Sequence, residues 1–159
     1  MASVKFEDIR ALYGLRLDAP EVTAFLARYP DHRIGRPSDG VQQVDFRSLG
    51  FDLSFMPRTG MQGGRTKELR VLDTVFLHRK GHERYEGFAE PPFGISFADT
   101  REILIQKLGE PSGTSMPDGV KVSPFGTVYW DRWHVEDLAV HVTYDSVART
   151  PSLISISPL

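Results

Sequence analysis

Two stretches of the chain, 81 residues apart, carry the same pattern of a helix start, an amphipathic helix and a proline stop. Asp18 and Asp99 each precede such a helix, and a glutamate follows three residues later in both copies. An aspartate side chain accepts hydrogen bonds from the free N–H groups of a first helical turn, and the glutamate reaches back to the capping residue. Pro30 and Pro111 end the two helices because proline cannot continue a helix. The pattern therefore predicts two helices in equivalent positions.

Each helix precedes three segments that alternate in side-chain character or are rich in β-branched and aromatic residues, which is typical of strands. The predicted strands are 44–47, 51–55 and 69–78 in the first copy, and 127–135, 138–144 and 153–157 in the second. This order predicts an α+β fold of two tandem helix–strand–strand–strand repeats that form one antiparallel sheet, with the helices on one face. We expect residues 1–92 to hold a leading segment, the first repeat and a connector, and residues 93–159 to hold the second repeat of a single globular unit.

Composition excludes several classes of protein. The 159 residues include no cysteine, which excludes a disulfide scaffold and cysteine metal sites. The net charge of −2 gives no bias towards nucleic acid or an anionic membrane. The N-terminal residues carry charges where a signal peptide has its apolar core, and no run approaches the roughly 20 apolar residues of a membrane span. We therefore expect a cytoplasmic protein that binds neither nucleic acid nor membrane and uses no cofactor.

Two histidines four residues apart, His78 and His82, have the spacing of metal ligands on one face of a helix. Gly81 lies between them, the basic pair Arg79-Lys80 would repel a cation, and the segment follows a predicted strand. These features favour a solvated loop, so we assign no metal ligand. The glycine-rich segment 61–67 lacks the spacing of a phosphate-binding loop and precedes a predicted strand, which favours a flexible loop.

The densest aromatic stretch, 129–134, coincides with a predicted strand. Strand alternation places Trp130 on one face and Trp133 on the other, so one tryptophan faces the core and the other faces solvent or a partner. A cross-strand aromatic pair that only stabilises the sheet is equally compatible with this pattern. Because Trp and Arg dominate interface hot spots, we expect a protein partner to bind here, with a polar rim formed by the loop 112–126, Asp45, Arg47 and Asp52. The predicted partner-binding residues are Trp130, Arg132, His134, His141, Asp45, Arg47 and Asp52.

An enzyme is an alternative, because His134 and His141 lie on adjacent predicted strands with Asp131, Glu136 and Asp137 nearby. A histidine hydrogen-bonded to a carboxylate is the arrangement of a general base, which a small hydrolase would use. No serine in a nucleophile elbow and no cysteine accompanies the histidines, so we assign no catalytic residue and expect a non-enzymatic protein. A further alternative is a structural or assembly factor that forms a homodimer through free sheet edges or faces.

The second copy also resembles a known family. It contains Gly94-Ile95-Ser96, then Asp99-Thr100-Arg101-Glu102, then Leu108-Gly109-Glu110-Pro111. This order resembles the signature of the β-lactamase-inhibitor-protein-like fold, which small outer-membrane lipoproteins of the SmpA/OmlA kind share. The resemblance implies two tandem copies in one curved sheet whose concave face grips an enzyme. A chain of this kind without a signal peptide or cysteine resembles a bacterial immunity-type protein, which implies inhibition of a toxin by occlusion.

Overall fold

The computed structural model describes residues 3–57, 70–117 and 127–159. Its helices are α1 (Phe6–Arg10), α2 (Pro20–Arg28) and α3 (Arg101–Leu108), and short 3₁₀ turns lie at Arg47–Leu49 and His82–Arg84. Its strands are β1 (Arg33–Ile34), β2 (Gln42–Phe46), β3 (Phe51–Pro57), β4 (Arg70–His78), β5 (Gly113–Thr114), β6 (Trp130–Val135), β7 (Leu138–Tyr144) and β8 (Pro151–Pro158). None of the helices in these three ranges has the length and hydrophobicity of a membrane-spanning segment.

The described strands form one antiparallel sheet in the order β1-β2-β3-β4-β8-β7-β6-β5. The two halves of the chain meet in the middle of this sheet, where Val75 of β4 pairs with Ile156 of β8 and His78 pairs with Leu153. The predicted α+β class and antiparallel sheet are confirmed, with strand ends shifted by a few residues. The structure adds β1 and β5 at the two edges, which sequence analysis missed because two residues are too few to show alternation.

The helices and one face of the sheet, the core face, enclose a single hydrophobic core. Phe25 of α2 packs against Phe46 and Phe51, whose stacked rings lie 4.3 Å apart between centroids. Leu104 of α3 and Trp133 of β6 are buried in the same core. Each such side chain contributes about 1.5–3 kcal/mol by leaving water, so these contacts hold the helices on the core face.

Neither helix is capped by the predicted aspartate. The N-cap residues are Ala19 before α2 and Thr100 before α3, each one position after Asp18 or Asp99. The hydroxyl of Thr100 accepts a hydrogen bond from the backbone N–H of Ile103, whereas Ala19 makes no side-chain cap. In the first copy a proline occupies the first helical position, which its fixed φ favours, and this moves the cap to the residue before it. The predicted caps are therefore wrong by one residue in both copies.

Asp99 is a buried acceptor that joins two parts of the second copy. It accepts hydrogen bonds from the backbone N–H of Ser96 at 2.8 Å and from Nζ of Lys107 at 2.7 Å. These bonds connect the loop before α3 to the last turn of the same helix. The helix ends are as predicted, since α2 and α3 both stop before Pro30 and Pro111.

The turn between β7 and β8 is organised by Asp145. Its carboxylate accepts hydrogen bonds from the backbone N–H of Ala148 at 2.7 Å, from Nη2 of Arg79 at 2.9 Å and from the backbone N–H of Val147 at 2.8 Å. These donors favour the charged carboxylate and lower the pKa of Asp145 to about 2. The turn is therefore tied to the end of β4 by an ion pair.

We expect the stability of the protein in acid to depend on Asp145. Because folding lowers its pKa, the stabilisation is present at neutral pH and is lost as the pH falls from about 4 to about 2. The side chain is 26% exposed. Solvent therefore limits the contribution to about 1 kcal/mol. Asp145→Asn should lower the free energy of unfolding by this amount at neutral pH and by much less near pH 2. Urea unfolding at both pH values measures the difference, and equal losses would contradict the prediction.

Candidate functional site

The sheet has a second face, which we name the open face, made of the residues that alternate with the core residues along the strands. It runs from Asp45 on β2 to Trp130 and Arg132 on β6. The described helices pack on the core face, and most side chains of the open face are at least partly exposed. A sheet face of this kind is available for binding.

Trp130, Arg132, His134 and His141 lie together at one end of the open face, which we name the aromatic end. The indole of Trp130 stacks on the ring of His141, with centroids 4.9 Å apart and planes at 28°. Trp130 is 37% exposed, and Arg132 is exposed and pairs with His141 across β6 and β7. Burial, together with the charge of Arg132, lowers the pKa of His141, so its ring is neutral at pH 7. The aromatic end therefore offers an apolar ring beside a guanidinium.

The two tryptophans have different roles. Trp133 is 1% exposed, and its Nε1 donates a hydrogen bond to the backbone O of Gly109 at 2.8 Å. It is a core residue that ties β6 to the end of α3. Trp130 is therefore the tryptophan that faces solvent. Strand alternation alone predicts that one of the two is exposed, but not which one.

The pair of His134 or His141 with a carboxylate, which the enzyme alternative requires, does not form with Asp131. Asp131 is fully buried on the core face, where Nε of Arg101 donates to its Oδ2 at 2.7 Å and the hydroxyl of Tyr144 donates at 2.8 Å. Within residues 3–57, 70–117 and 127–159, no hydrogen bond or ion pair joins either histidine to a carboxylate. The aromatic end as described therefore lacks the geometry of a histidine general base.

The other predicted binding residues, Asp45, Arg47 and Asp52, lie at the opposite end of the sheet. Asp45 and Asp52 pair across β2 and β3, and Nη2 of Arg47 lies 3.9 Å from Oδ2 of Asp45. The guanidinium of Arg47 also lies 4.9 Å from the centroid of the Tyr85 ring. The structure therefore separates the predicted binding residues into two groups, one in each half of the chain.

Two predicted loops lie wholly or partly outside the described residues. The glycine-rich segment 61–67 is outside them, and so are positions 118–126 of the rim loop 112–126. The described part of the rim loop contains β5, which pairs with β6 at the aromatic end. There the backbone N–H of Trp130 donates to Oγ of Ser115 at 2.9 Å, which fixes the start of β6.

Around Asp52 the structure brings together a group of side chains whose association the sequence did not show. We name this group the histidine cluster: Asp52, His78, His82, Glu83 and Tyr85. Nε2 of His78 lies 2.9 Å from Oδ1 of Asp52, and Nδ1 of His78 lies 2.9 Å from Nδ1 of His82. The ring of Tyr85 stacks on the ring of His78, with centroids 3.7 Å apart. His78 is only 2% exposed and ends β4, so the predicted solvated loop does not include it. Lys80, Gly81 and Glu83, which follow it, are exposed.

The connector after β4 builds the histidine cluster by folding back on the strand. Gly81 has a φ of +88°, which glycine adopts without strain, and it lets the chain turn three residues after the strand ends at His78. The backbone N–H of Phe88 then donates to the backbone O of His78 at 3.0 Å. The only sequence signal for this site is the four-residue spacing of His78 and His82, which does not show that the turn between them is packed.

The ionisable groups of the histidine cluster are perturbed by burial. Burial raises the pKa of Asp52, and the adjacent His78 opposes part of this change. Burial, and then the charge of His78, lowers the pKa of His82, so its ring is neutral at pH 7. Burial and the carboxylates of Asp52 and Asp45 raise the pKa of Tyr85, which keeps its hydroxyl protonated. The cluster therefore places the neutral ring of His82 next to His78 and the carboxylate of Asp52.

Comparison with known proteins gives a structural similarity at low sequence identity. No family model matches the sequence, and no curated protein matches it. Among solved structures, the chain is similar to the crystal structure of a DUF4309 family protein (YjgB) from Bacillus subtilis subsp. subtilis str. 168, at 13% sequence identity and a TM-score of 0.48. The similarity covers 86% of this chain and 77% of that chain.

Proposed function

We propose that the protein is a non-enzymatic protein-binding module whose binding surface is the open face, with the aromatic end as its anchor. The observation that carries this proposal is the exposed Trp130, stacked on His141 and next to the exposed Arg132. Trp and Arg are the residues that contribute most to interface hot spots. Stacking on His141 orders the indole before a partner arrives, which reduces the entropy lost on binding.

The chemistry of the aromatic end defines the partner. Arg132 forms no ion pair within the part of the chain that the structure describes, so its charge is available to a carboxylate of another protein. The partner is a folded protein that presents an acidic side chain to Arg132 beside an apolar group for Trp130. We take this partner to be a cognate bacterial toxin, because the motif at 94–111 resembles that of an inhibitor fold. The protein then acts as a cytoplasmic immunity protein that occludes the toxin.

We also propose that the sheet arose by duplication of one half of the chain. The starts of α2 and α3 are 81 residues apart, and so are the starts of β4 and β8. Each half supplies four strands in the same order from the edge to the centre of the sheet, which supports two tandem copies. In a duplicated protein the aromatic end and the opposite end, with Asp45, Arg47 and Asp52, occupy equivalent positions in the two copies.

A growth-rescue experiment tests the immunity function. Each gene adjacent to this one is expressed in a bacterium with and without this protein, and growth is recorded. We expect one neighbour to be toxic and this protein to restore growth. If no neighbour is toxic, the immunity function is wrong, and a pull-down with the neighbouring gene products then tests the binding module alone.

Trp130→Ala and Arg132→Ala are each expected to abolish rescue while leaving the protein folded. Truncating a hot-spot residue costs about 2–4 kcal/mol of binding free energy, which raises Kd roughly 30- to 1000-fold. Arg28→Ala is the matched control, because Arg28 is an exposed arginine on α2, on the helical side of the sheet. Calorimetric titration of the partner into each variant measures Kd. Binding that is unchanged in both aromatic-end variants would rule out this surface.

A further inference from the structure

We infer that the histidine cluster binds a divalent transition-metal ion of the zinc type, with His78, His82 and Glu83 as ligands and Asp52 supporting His78. One ligand atom from each of the three residues lies within 4.8 Å of the others. Two imidazole nitrogens and a carboxylate oxygen form a donor set that zinc prefers. This inference is independent of the proposed protein-binding function, which depends on the aromatic end of the open face.

Asp52 determines which nitrogen of His78 is free for a metal. A carboxylate can only accept, so Nε2 of His78 carries the proton of the 2.9 Å bond to Asp52. Nδ1 of His78 therefore holds a lone pair, and this atom faces His82. Metal-binding histidines commonly donate their other N–H to a carboxylate, which orients the ring and makes it more basic. The bond to Asp52 thus holds the His78 ring in the orientation of a metal ligand before any ion binds.

The contact between the two histidines marks the position of the ion. Their Nδ1 atoms lie 2.9 Å apart, so the N–H of His82 donates to the lone pair of His78 when no metal is bound. A tetrahedral zinc ion, at about 2.0–2.1 Å from each nitrogen, holds two such atoms about 3.3 Å apart. The ion therefore takes the place of the shared proton. His82 remains a neutral imidazole because this proton moves through solvent from its Nδ1 to its Nε2, and the two Nδ1 atoms separate by only about 0.4 Å. His82 belongs to a 3₁₀ turn outside the sheet, so this shift leaves the strands in place.

Two of the basic residues in the same segment, Arg79 and Lys80, are paired with carboxylates. Nη2 of Arg79 lies 2.9 Å from Asp145, and Nζ of Lys80 lies 3.9 Å from Glu86. Both positive charges are therefore balanced by carboxylates outside the histidine cluster. The exposed carboxylate of Glu83 supplies the third ligand, and three protein ligands leave a coordination position for water or another molecule.

Titration of untagged, EDTA-treated protein with ZnCl₂ in a calorimeter tests the inference, and CoCl₂ gives an absorption spectrum that reports the coordination geometry. We expect one ion per chain and a spectrum typical of tetrahedral cobalt. His82→Ala and Glu83→Gln each remove a ligand and should weaken binding by more than about 100-fold, the upper value for changes in supporting residues. Asp52→Asn removes only the supporting carboxylate and should weaken binding by about 10- to 100-fold.

His134→Ala and His141→Ala are the controls, because they remove histidines from the aromatic end and should bind zinc as the wild type does. Circular dichroism establishes that each variant is folded. The inference is overturned if the wild type takes up no zinc or cobalt. It is also overturned if His82→Ala and Glu83→Gln retain full affinity, or if binding is lost only in the two controls.

Discussion

Asp131→Ala is expected to lower the free energy of unfolding by about 3–5 kcal/mol, because it breaks a buried ion pair from one side. Nε and Nη2 of Arg101 donate to the two oxygens of Asp131 at 2.7 and 3.3 Å, and the Tyr144 hydroxyl donates at 2.8 Å. Without the carboxylate, both donors lose their acceptor in a region that solvent hardly reaches. Since a domain of this size is stable by only about 5–15 kcal/mol, this loss is a large part of the total free energy of unfolding.

Urea unfolding of wild type and Asp131→Ala, followed by far-ultraviolet circular dichroism, measures this loss. Asp137→Ala is a suitable control, because Asp137 pairs with Arg10 at 2.6 Å but has a side chain that is 79% exposed. Exposed ion pairs contribute little, so the control should have almost the same urea midpoint as the wild type. Similar midpoints for the two variants would show that burial of the Arg101–Asp131 pair does not matter.

Gly50→Ala is expected to destabilise the protein by about 3 kcal/mol or more. A Cβ atom at Gly50 would lie 2.3 Å from the backbone N of Phe88 and 2.4 Å from the backbone O of Glu86. These are main-chain atoms, so no side-chain rotation relieves the overlap, and the connector after β4 would have to move. Gly50 also has a φ of +81°, which disfavours any side chain.

Gly94→Ala separates the cost of the positive φ from the cost of overlap with main-chain atoms. Gly94 also has a positive φ, of +72°, but a Cβ there would meet no heavy atom within 4 Å. Its substitution should therefore cost only the backbone strain, about 1 kcal/mol. Thermal and urea unfolding of the two variants give the difference, which measures the close approach at Gly50. Equal losses in both variants would contradict the packing of the connector against the start of β3.

Much of the fold could be predicted because strand alternation and helix stops are local properties of the sequence. Trp130 and Trp133 were placed on opposite faces by their spacing alone, and Pro111 indicated the end of α3. The cap before α3 was placed one residue early because Asp99 and Thr100 are adjacent residues of cap-forming type. Which of them caps the helix depends on Lys107, whose ammonium holds the Asp99 carboxylate.

The histidine cluster could not be predicted, because its members come together only through long-range pairing. Asp52 and His78 are 26 positions apart and meet because β3 and β4 are neighbours in the sheet. The burial of His78 depends further on Tyr85, which the returning connector places on the imidazole ring. The sequence shows that the segment around Gly81 turns, but not that the turn packs against the sheet.

Strand β8 follows all the other described strands in sequence, yet it lies between β4 and β7. During synthesis, the backbone groups on one edge of β4 therefore remain unpaired until β8 has been made. An unpaired strand edge is a template for another chain, and pairings between distant segments form slowly. Until β8 is in place, the topology thus leaves the facing edges of β4 and β7 open to pairing with another copy of the chain.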